Sequence, residues 1–223
     1  MQTDLDDDPL PSEMIDQDLQ EFVRDALPSS WLEYAEELRD AAELIWKEAD
    51  EGFRLELTLD SCHQPINDPT RISKVSRTYM LLAGFALENV IKGLLVAAEP
   101  HHVNGGVLSG ELRSHKISSL VFKLKEFHIS DPELEFCNAV SAAIPYWGRY
   151  PIPLEKNKVS PEIGVDERRR EIFLGLFKRL AHRLYWMVRD GWDSGVGPQT
   201  VSVRSSNYGD QIDPAEPLFK PKE

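Results

Sequence analysis

Apolar side chains recur every three to four residues through much of the chain, which is the spacing of a helix with one buried face. Over residues 28–52 the apolar positions are Trp31, Tyr34 or Ala35, Leu38, Ala42, Ile45 and Ala49. This pattern predicts the first firm helix. Ser29 or Ser30 is its expected N-cap and Gly52 its expected end, because short hydroxyl side chains and glycine favour those positions.

A second and longer apolar stretch runs from about residue 70 to residue 98. It is apolar around much of its circumference, which predicts a helix at the centre of a bundle. Its most apolar run, Tyr79–Ala98, contains Glu88, Asn89 and Lys92. Charges in the middle of the run favour a buried helix over a membrane span, so no membrane partner is expected.

Helical spacing continues towards the C-terminus. Ser114 is the expected cap of one helix, and Asp131 is the expected cap of the next, with Pro132 at its favoured first position. The best strand candidate is the short stretch GFRLELTLD. The predicted architecture is an all-α bundle of about five helices. Its three C-terminal helices are predicted over residues 115–128, 131–147 and 166–192.

The domain organisation follows from these patterns. Residues 1–27 are expected to form an acidic flexible tail, within which IDQDLQEFVRDAL (15–27) has the pattern of a short helix. Residues 28–192 form the helical domain, and 193–223 form an irregular C-terminal tail rich in Ser, Gly, Pro and Asp. One folded domain with two tails is therefore predicted.

The net charge of −13 is unevenly distributed. Residues 1–70 carry 4 basic against 20 acidic side chains, whereas residues 71–190 carry 18 against 13. A mildly basic core behind an acidic arm fits phosphate binding, or an arm that screens the core or binds a basic partner. Solvated charged faces explain the same pattern and are the more common outcome, so the charge alone selects neither.

Several functional classes lose support. The two cysteines, Cys62 and Cys137, form no disulfide scaffold and lack metal spacing, which favours a reducing cytoplasm. The acidic N-terminus lacks the features of a signal peptide. The His101-His102 pair has no third ligand at a recognisable spacing, so neither a metal nor a cofactor is predicted. Nucleophile-elbow, P-loop and dinucleotide-binding motifs are missing from the sequence.

Polar positions fall close to one line of the long central helix, within a sector of about 100°. They are Ser73, Arg77, Gly84, Glu88 and Lys92. Glu88 and Lys92 stand four apart with the acid first, the favourable order for an ion pair. The line is then either one wet face of a core helix or the lining of a cleft or subunit seam. Gly84, costly in a helix by about 1 kcal/mol, fits close packing or ligand approach.

Two histidines belong to helices. His115 lies at the predicted start of a helix, where the imidazole either caps or faces solvent, or serves as a base near neutral pH. His182 lies with Arg179, Arg183 and Arg189 along the last helix. We expect that basic edge to be solvated, with phosphate contact as the second interpretation.

The densest local signal is PYWGRYPIP, residues 145–153. Its prolines and Gly148 fix the backbone on both sides of Arg149. A guanidinium suits carboxylate or phosphate, and Trp147 or Tyr150 can stack against it. Physical chemistry leaves two interpretations open: Arg149 binds a phosphate, or it pins the loop to a carboxylate such as Glu88.

Three segments in order, LLAGFALENVIKGLLVA, LRSHKISSLV and WGRYPIPL, resemble a group of bacterial proteins in the HEPN-like superfamily. The resemblance covers about residues 75–155. It implies a helical bundle that often dimerises, with links to RNA cleavage, nucleotide binding, and bacterial toxin and phage-defence systems. The nuclease branch carries an Arg, four to six residues, then a His, and none of the six histidines here has that partner. The matching positions are Gly84, Glu88, Asn89, Lys92, His115, Gly148, Arg149, Tyr150 and Pro151.

Two functions follow as expectations. The first is a HEPN-like, homodimeric, cytoplasmic protein that binds protein, RNA or nucleotide in a toxin–antitoxin or defence context. The second is an RNA- or nucleotide-processing phosphodiesterase, in which Arg149 stabilises phosphate charge, His115 acts as acid or base and Glu88 orients one of them. Whether the protein is an enzyme stays open. The expected ligand-binding residues are Lys92, Asn89, Tyr150 and Arg77.

Overall fold

The structure is a computed structural model that describes residues 17–48, 53–73, 75–144 and 164–196. These residues contain six α-helices: α1 Gln17–Asp25, α2 Pro28–Glu48, α3 Ser76–Ala98, α4 Ile117–Val121, α5 Asp131–Ala142 and α6 Glu167–Val188. They also contain strands β1 Phe53–Glu56 and β2 Thr70–Ser73, and 3₁₀ turns at Pro100–His102 and Gly110–Arg113. The prediction of an all-α bundle is confirmed.

Helix α3 lies at the centre of the bundle and packs against α2, α4, α5 and α6. By length and composition alone it could cross a membrane, but most of it is buried by the other helices. Tyr79 on α3 and Phe173 on α6 are fully buried and meet edge to face, with ring centroids 5.9 Å apart. This burial is what the core helix of a globular protein shows, and it explains why α3 is apolar on nearly every side.

The N-terminal part of the predicted central helix is a strand. Residues 70–73 pair antiparallel with residues 53–56, with Phe53 opposite Ser73 and Glu56 opposite Thr70. Thr70 and Ile72 are β-branched, which favours the extended conformation. The strand candidate near residue 53 is thus confirmed, and α3 begins at Ser76. The placement of Ser73 on the polar line of the helix was wrong.

The N-terminal caps of α2 and α5 also differ from the sequence expectation. Helix α2 begins at Pro28, so Ser29 and Ser30 lie inside its first turn rather than at the cap. Helix α5 is capped by Ser130, whose backbone N–H donates to Glu133 Oε2 at 2.9 Å in a capping box. The prediction of Asp131 as the cap was therefore wrong by one residue.

Helix α4 covers only Ile117–Val121, so it is much shorter than the predicted helix over residues 115–128. Turns follow it. Glu126 has a φ of 58°, a left-handed conformation that no α-helix can pass through. Ser114 does not cap the helix. Its hydroxyl accepts a hydrogen bond from the Lys116 N–H at 3.1 Å and shapes the turn before α4, which carries His115.

The segment expected as a short helix within residues 15–27 is α1, and it packs on the bundle. Val23 and Ala26 are buried, and the Trp31 indole N–H donates to the Ala26 carbonyl at 3.3 Å. Part of the acidic N-terminal region is thus joined to the folded core.

A polar contact joins the three longest helices near the start of α3. Glu43 on α2 accepts from the Tyr79 hydroxyl at 3.1 Å and from Arg170 Nε on α6 at 3.0 Å. Burial, and then the Glu43 charge, raise the pKa of Tyr79 far above its ordinary value, so the phenol stays a donor. This triad fixes α2 and α6 against α3 and so fixes the scaffold on which Glu88 is carried.

Two glycines of α3 mark close helix packing. A Cβ at Gly84 would lie 3.2 Å from the Ile144 side chain and 3.3 Å from Val140 Cβ. A Cβ at Gly93 would lie 2.7 Å from Leu184 Cδ2 and 2.9 Å from Trp31 Cβ. Of the two interpretations of Gly84, close packing or ligand approach, the structure shows close packing. The neighbouring helices lie closer to α3 at Gly93 than at Gly84.

Candidate functional site

One face of α3 carries a buried ion pair. Glu88 and Lys92 stand one turn apart, with 2.5 Å between Lys92 Nζ and Glu88 Oε1. Their side chains are 6% and 8% exposed, so water stabilises neither charge well. The i, i+4 spacing and the straight helix between them hold the two groups in contact.

His115 completes the group, which we call the Glu88 cluster (Glu88, Lys92 and His115). The turn before α4 brings its ring to α3, where Nδ1 lies 3.0 Å from Glu88 Oε1 and 3.1 Å from Oε2. The His115 side chain is 61% exposed. The cluster therefore runs from a buried carboxylate to an imidazole at the surface.

The contact determines how the imidazole is presented. A carboxylate accepts hydrogen bonds, so Nδ1 of His115 carries a proton and donates it to Glu88. The other ring nitrogen, Nε2, lies on the opposite side of the ring. In the neutral imidazole Nε2 accepts a proton or a hydrogen bond, and in the imidazolium it donates one. Glu88 thus orients the ring and selects its tautomer.

The cluster also compensates its own buried charges. Lys92 balances Glu88, so the cluster is neutral when His115 is neutral and carries one positive charge when His115 is protonated. Removal of one partner would leave an uncompensated buried charge, at a cost of about 3–5 kcal/mol. The Glu88–Lys92 pair therefore has a structural role, and the exposed ring is the part of the cluster that can meet a ligand.

Two of the expected ligand-binding residues lie away from this cluster. The Asn89 side-chain amide donates to the Phe85 carbonyl of its own helix at 2.8 Å. Arg77 is half-buried and stands three helical turns before Glu88, which is about 16 Å along the axis. The structure brings together Glu88, Lys92 and His115, and it brings neither Asn89 nor Arg77 to them.

The remaining expected residues lie outside the described part of the chain. Arg149 and Tyr150, with Gly148 and Pro151, belong to residues 145–163. The expected contact between Arg149 and Glu88 stays a prediction. Lys92, expected to bind a ligand directly, faces Glu88 and is nearly buried.

The basic edge of α6 differs from its expectation. His182 is 5% exposed rather than solvated, and its Nε2 accepts from the Trp186 indole N–H at 2.6 Å. Burial, and then the charge of Lys178, lower the pKa of His182. Arg179 pairs with Glu133 on α5 at 2.6 Å. His182 and Arg179 therefore make contacts within the fold, and phosphate contact along this edge stays a prediction.

A surface cavity of about 190 Å³ lies between the N-terminal parts of α5 and α6, where Pro132, Asp166 and Arg169 are among its lining residues. Arg169 is engaged there by Asp166 at 2.9 Å and by the Gly164 carbonyl at 3.0 Å. Among the described residues, no member of the Glu88 cluster lines this cavity. The cavity and the cluster are separate features.

Sequence reasoning missed a second group of chemistry-bearing side chains. Glu99, His101 and His102 follow α3, and their ligand atoms lie within 4.8 Å of one another. The histidine pair was recognised, but Glu99 was not counted as the third ligand because its spacing to the pair fits no common motif. The signal was the sequence Glu-Pro-His-His, in which a proline starts a 3₁₀ turn.

No protein-family model, curated protein or solved structure matches this chain. Roles for Glu88, Lys92 and His115 therefore rest on their geometry.

Proposed function

We propose that this protein is a HEPN-like helical protein that binds RNA or a nucleotide at the exposed imidazole of the Glu88 cluster. It acts as a homodimer in a bacterial toxin–antitoxin or defence context. One observation carries the proposal: an exposed His115 ring is held at 3.0 Å by Glu88, a carboxylate buried in the core helix. A surface histidine that only faces solvent does not require a buried carboxylate to orient its ring.

Two of the three segments that resemble the HEPN-like group meet at this contact. Glu88 belongs to the GFALENVIK segment and His115 to the SHKI segment, 27 residues later. The third segment contains Arg149, which we expect to complete the proposed site. A guanidinium and an imidazolium together suit a phosphate, one by bidentate hydrogen bonds and the other by a single N–H.

Charge also supports an anionic ligand. Residues 71–190, which include the Glu88 cluster, carry five more basic than acidic side chains (18 against 13). Lys92 neutralises Glu88, so the buried carboxylate does not repel a phosphate near His115 as a lone carboxylate would. In the imidazolium form, Nε2 of His115 can donate a hydrogen bond to a bound phosphate.

The same contact favours a second candidate, phosphodiester cleavage. A carboxylate that holds Nδ1 of a histidine and leaves Nε2 open is the arrangement of an oriented general base. His115 Nε2 would take the proton of the attacking hydroxyl or water, and Arg149 would stabilise the charge on the phosphate. The departing oxygen would take a proton from the imidazolium or from water.

The test uses the full chain with labelled RNA and labelled nucleotides, read as fluorescence anisotropy for binding and on gels for cleavage. Variants His115→Gln and Arg149→Ala are compared with His128→Gln, which alters an exposed histidine outside the cluster. Loss of binding in the first two but not in the control supports the proposal. Cleavage by wild type that His115→Gln abolishes selects the second candidate. No binding and no cleavage by wild type overturn both.

Homodimerisation rests on the resemblance alone and needs its own measurement. Light scattering on the full chain, over a range of concentrations, gives the mass of the particle in solution. A mass of two chains supports the dimer. A mass of one chain at every concentration rejects it and leaves the binding proposal intact.

A further inference from the structure

The turn that ends α3 gathers two imidazoles and one carboxylate. Glu99 is the C-cap residue of α3, and Pro100 begins the 3₁₀ turn that carries His101 and His102. The ligand atoms of Glu99, His101 and His102 lie within 4.8 Å of one another. We propose that these three side chains, the Glu99 turn, bind a divalent zinc ion.

The distances suit a small change of rotamer rather than a rearrangement of the backbone. Glu99 Oε2 lies 3.6 Å from His101 Nδ1, and the two imidazole centroids are 4.2 Å apart. A tetrahedral zinc ion with bonds of about 2.0–2.1 Å holds its ligand atoms about 3.4 Å apart. The carboxylate and the first imidazole already stand near that separation.

Neighbouring side chains hold two of the ligands in useful orientations. His102 is 3% exposed, and its Nδ1 lies 2.7 Å from the Ser109 hydroxyl oxygen, which leaves Nε2 for a metal. Lys125 Nζ donates to Glu99 Oε1 at 3.0 Å, which leaves Oε2 on the side of His101. Hydrogen bonds of this kind fix the tautomer and the direction of metal ligands.

The donor set selects the kind of ion. Two imidazole nitrogens and one carboxylate oxygen match zinc, whereas magnesium and calcium prefer oxygen ligands. Three protein ligands leave a fourth position for water. Because His101 is exposed, that position is reachable from solvent.

The Glu99 turn is separate from the Glu88 cluster. Glu99 follows Glu88 by eleven residues, which is about 16 Å along α3. The zinc proposal therefore does not rest on the proposed function, and the two can fail independently.

The test is a zinc titration of the full, tag-free chain by calorimetry and by competition with a chromophoric chelator. We expect one zinc per chain, and a zinc affinity lower by well over about 10-fold in His101→Gln and in Glu99→Gln, because each variant removes a ligand. Ser109→Ala, which removes only the support of His102, should weaken binding by a smaller factor. His128→Gln, an exposed histidine elsewhere, should bind as wild type.

Thermal unfolding without added metal checks that each variant folds. We expect His101→Gln to fold as wild type does, because His101 lies at the surface. A wild-type chain that binds no zinc overturns the proposal. Zinc binding that is equally tight in His101→Gln and Glu99→Gln also overturns it, because the ion would then bind elsewhere.

Discussion

Nδ1 of His115 lies 3.0 Å and 3.1 Å from the two carboxylate oxygens of Glu88. The carboxylate is buried in the core helix, whereas the ring it holds is mostly exposed. This relationship links the packing of the bundle to the surface, because a side chain of the core helix orients the exposed imidazole. It also separates stability from binding, since the exposed partner can be altered while the buried pair is kept.

The buried pair should be strongly coupled. Glu88→Gln leaves the Lys92 ammonium without its partner, and Lys92→Met leaves the carboxylate with His115 alone. Each single variant should lower the free energy of unfolding by about 3–5 kcal/mol. The double variant should lose much less than the sum. Urea denaturation of the four proteins measures the coupling, and additive losses would show that the pair is not buried as described.

His115 itself should contribute little to stability. Its side chain is 61% exposed, so His115→Gln should change the free energy of unfolding by less than about 1 kcal/mol. The same urea series measures this. A loss as large as that of Glu88→Gln would mean that the histidine serves the fold rather than a ligand.

Close packing at Gly93 predicts a contrast between two helical glycines. Gly93→Ala would push a methyl group to 2.7 Å from Leu184 and should destabilise the fold by about 1–3 kcal/mol. Gly175 on α6 has open space around its Cβ position, so Gly175→Ala should stabilise the fold by about 0.5–1 kcal/mol. Thermal melts of both variants test the packing of α3. Equal shifts would contradict it.

Acid should weaken the fold through His182. Burial lowers the pKa of the folded-state imidazole below its ordinary value of 6.5, so the unfolded chain binds a proton first as pH falls. The contribution of neutral His182 to the free energy of unfolding is complete above pH 6.5 and is lost as pH falls through the folded-state pKa. His102, whose pKa burial also lowers, acts in the same direction.

Denaturation at pH 7.5 and at pH 5.5 measures this loss. His182→Gln keeps an acceptor for the Trp186 indole and removes the titration, so it should lose less stability between the two pH values. His128→Gln, an exposed histidine, should retain the wild-type dependence. An unchanged dependence in His182→Gln would assign the acid sensitivity to other groups.

The sequence was sufficient to predict those parts of the fold and site that depend on local spacing. The apolar pattern predicted the core helix, and the i, i+4 rule placed Glu88 beside Lys92. It misplaced the start of α3 because residues 70–73 contain one apolar residue, Ile72, which is too little pattern to distinguish a helix from a strand until the partner strand is known. The contact between Glu88 and His115 spans 27 residues, so its geometry depends on tertiary packing that periodicity does not encode.

The same limit explains two further errors, one of burial and one of side-chain convergence. His182 lies among arginines in the sequence, and its burial follows from the side of α6 that faces the bundle. Glu99 and the histidine pair are separated by Pro100, and only the 3₁₀ turn shows that their side chains converge. Local motifs were thus readable, whereas convergence of side chains from a turn was not.

The central claim is that Glu88 holds His115 for an anionic ligand. The most direct measurement is the affinity of the full chain for labelled RNA and nucleotides, wild type against His115→Gln, at two salt concentrations, with both proteins shown to be equally stable. The account predicts that wild type binds, that binding weakens with salt, and that His115→Gln weakens it by about 10-fold or more. Equal affinity of the two proteins, or no binding by wild type, would contradict it.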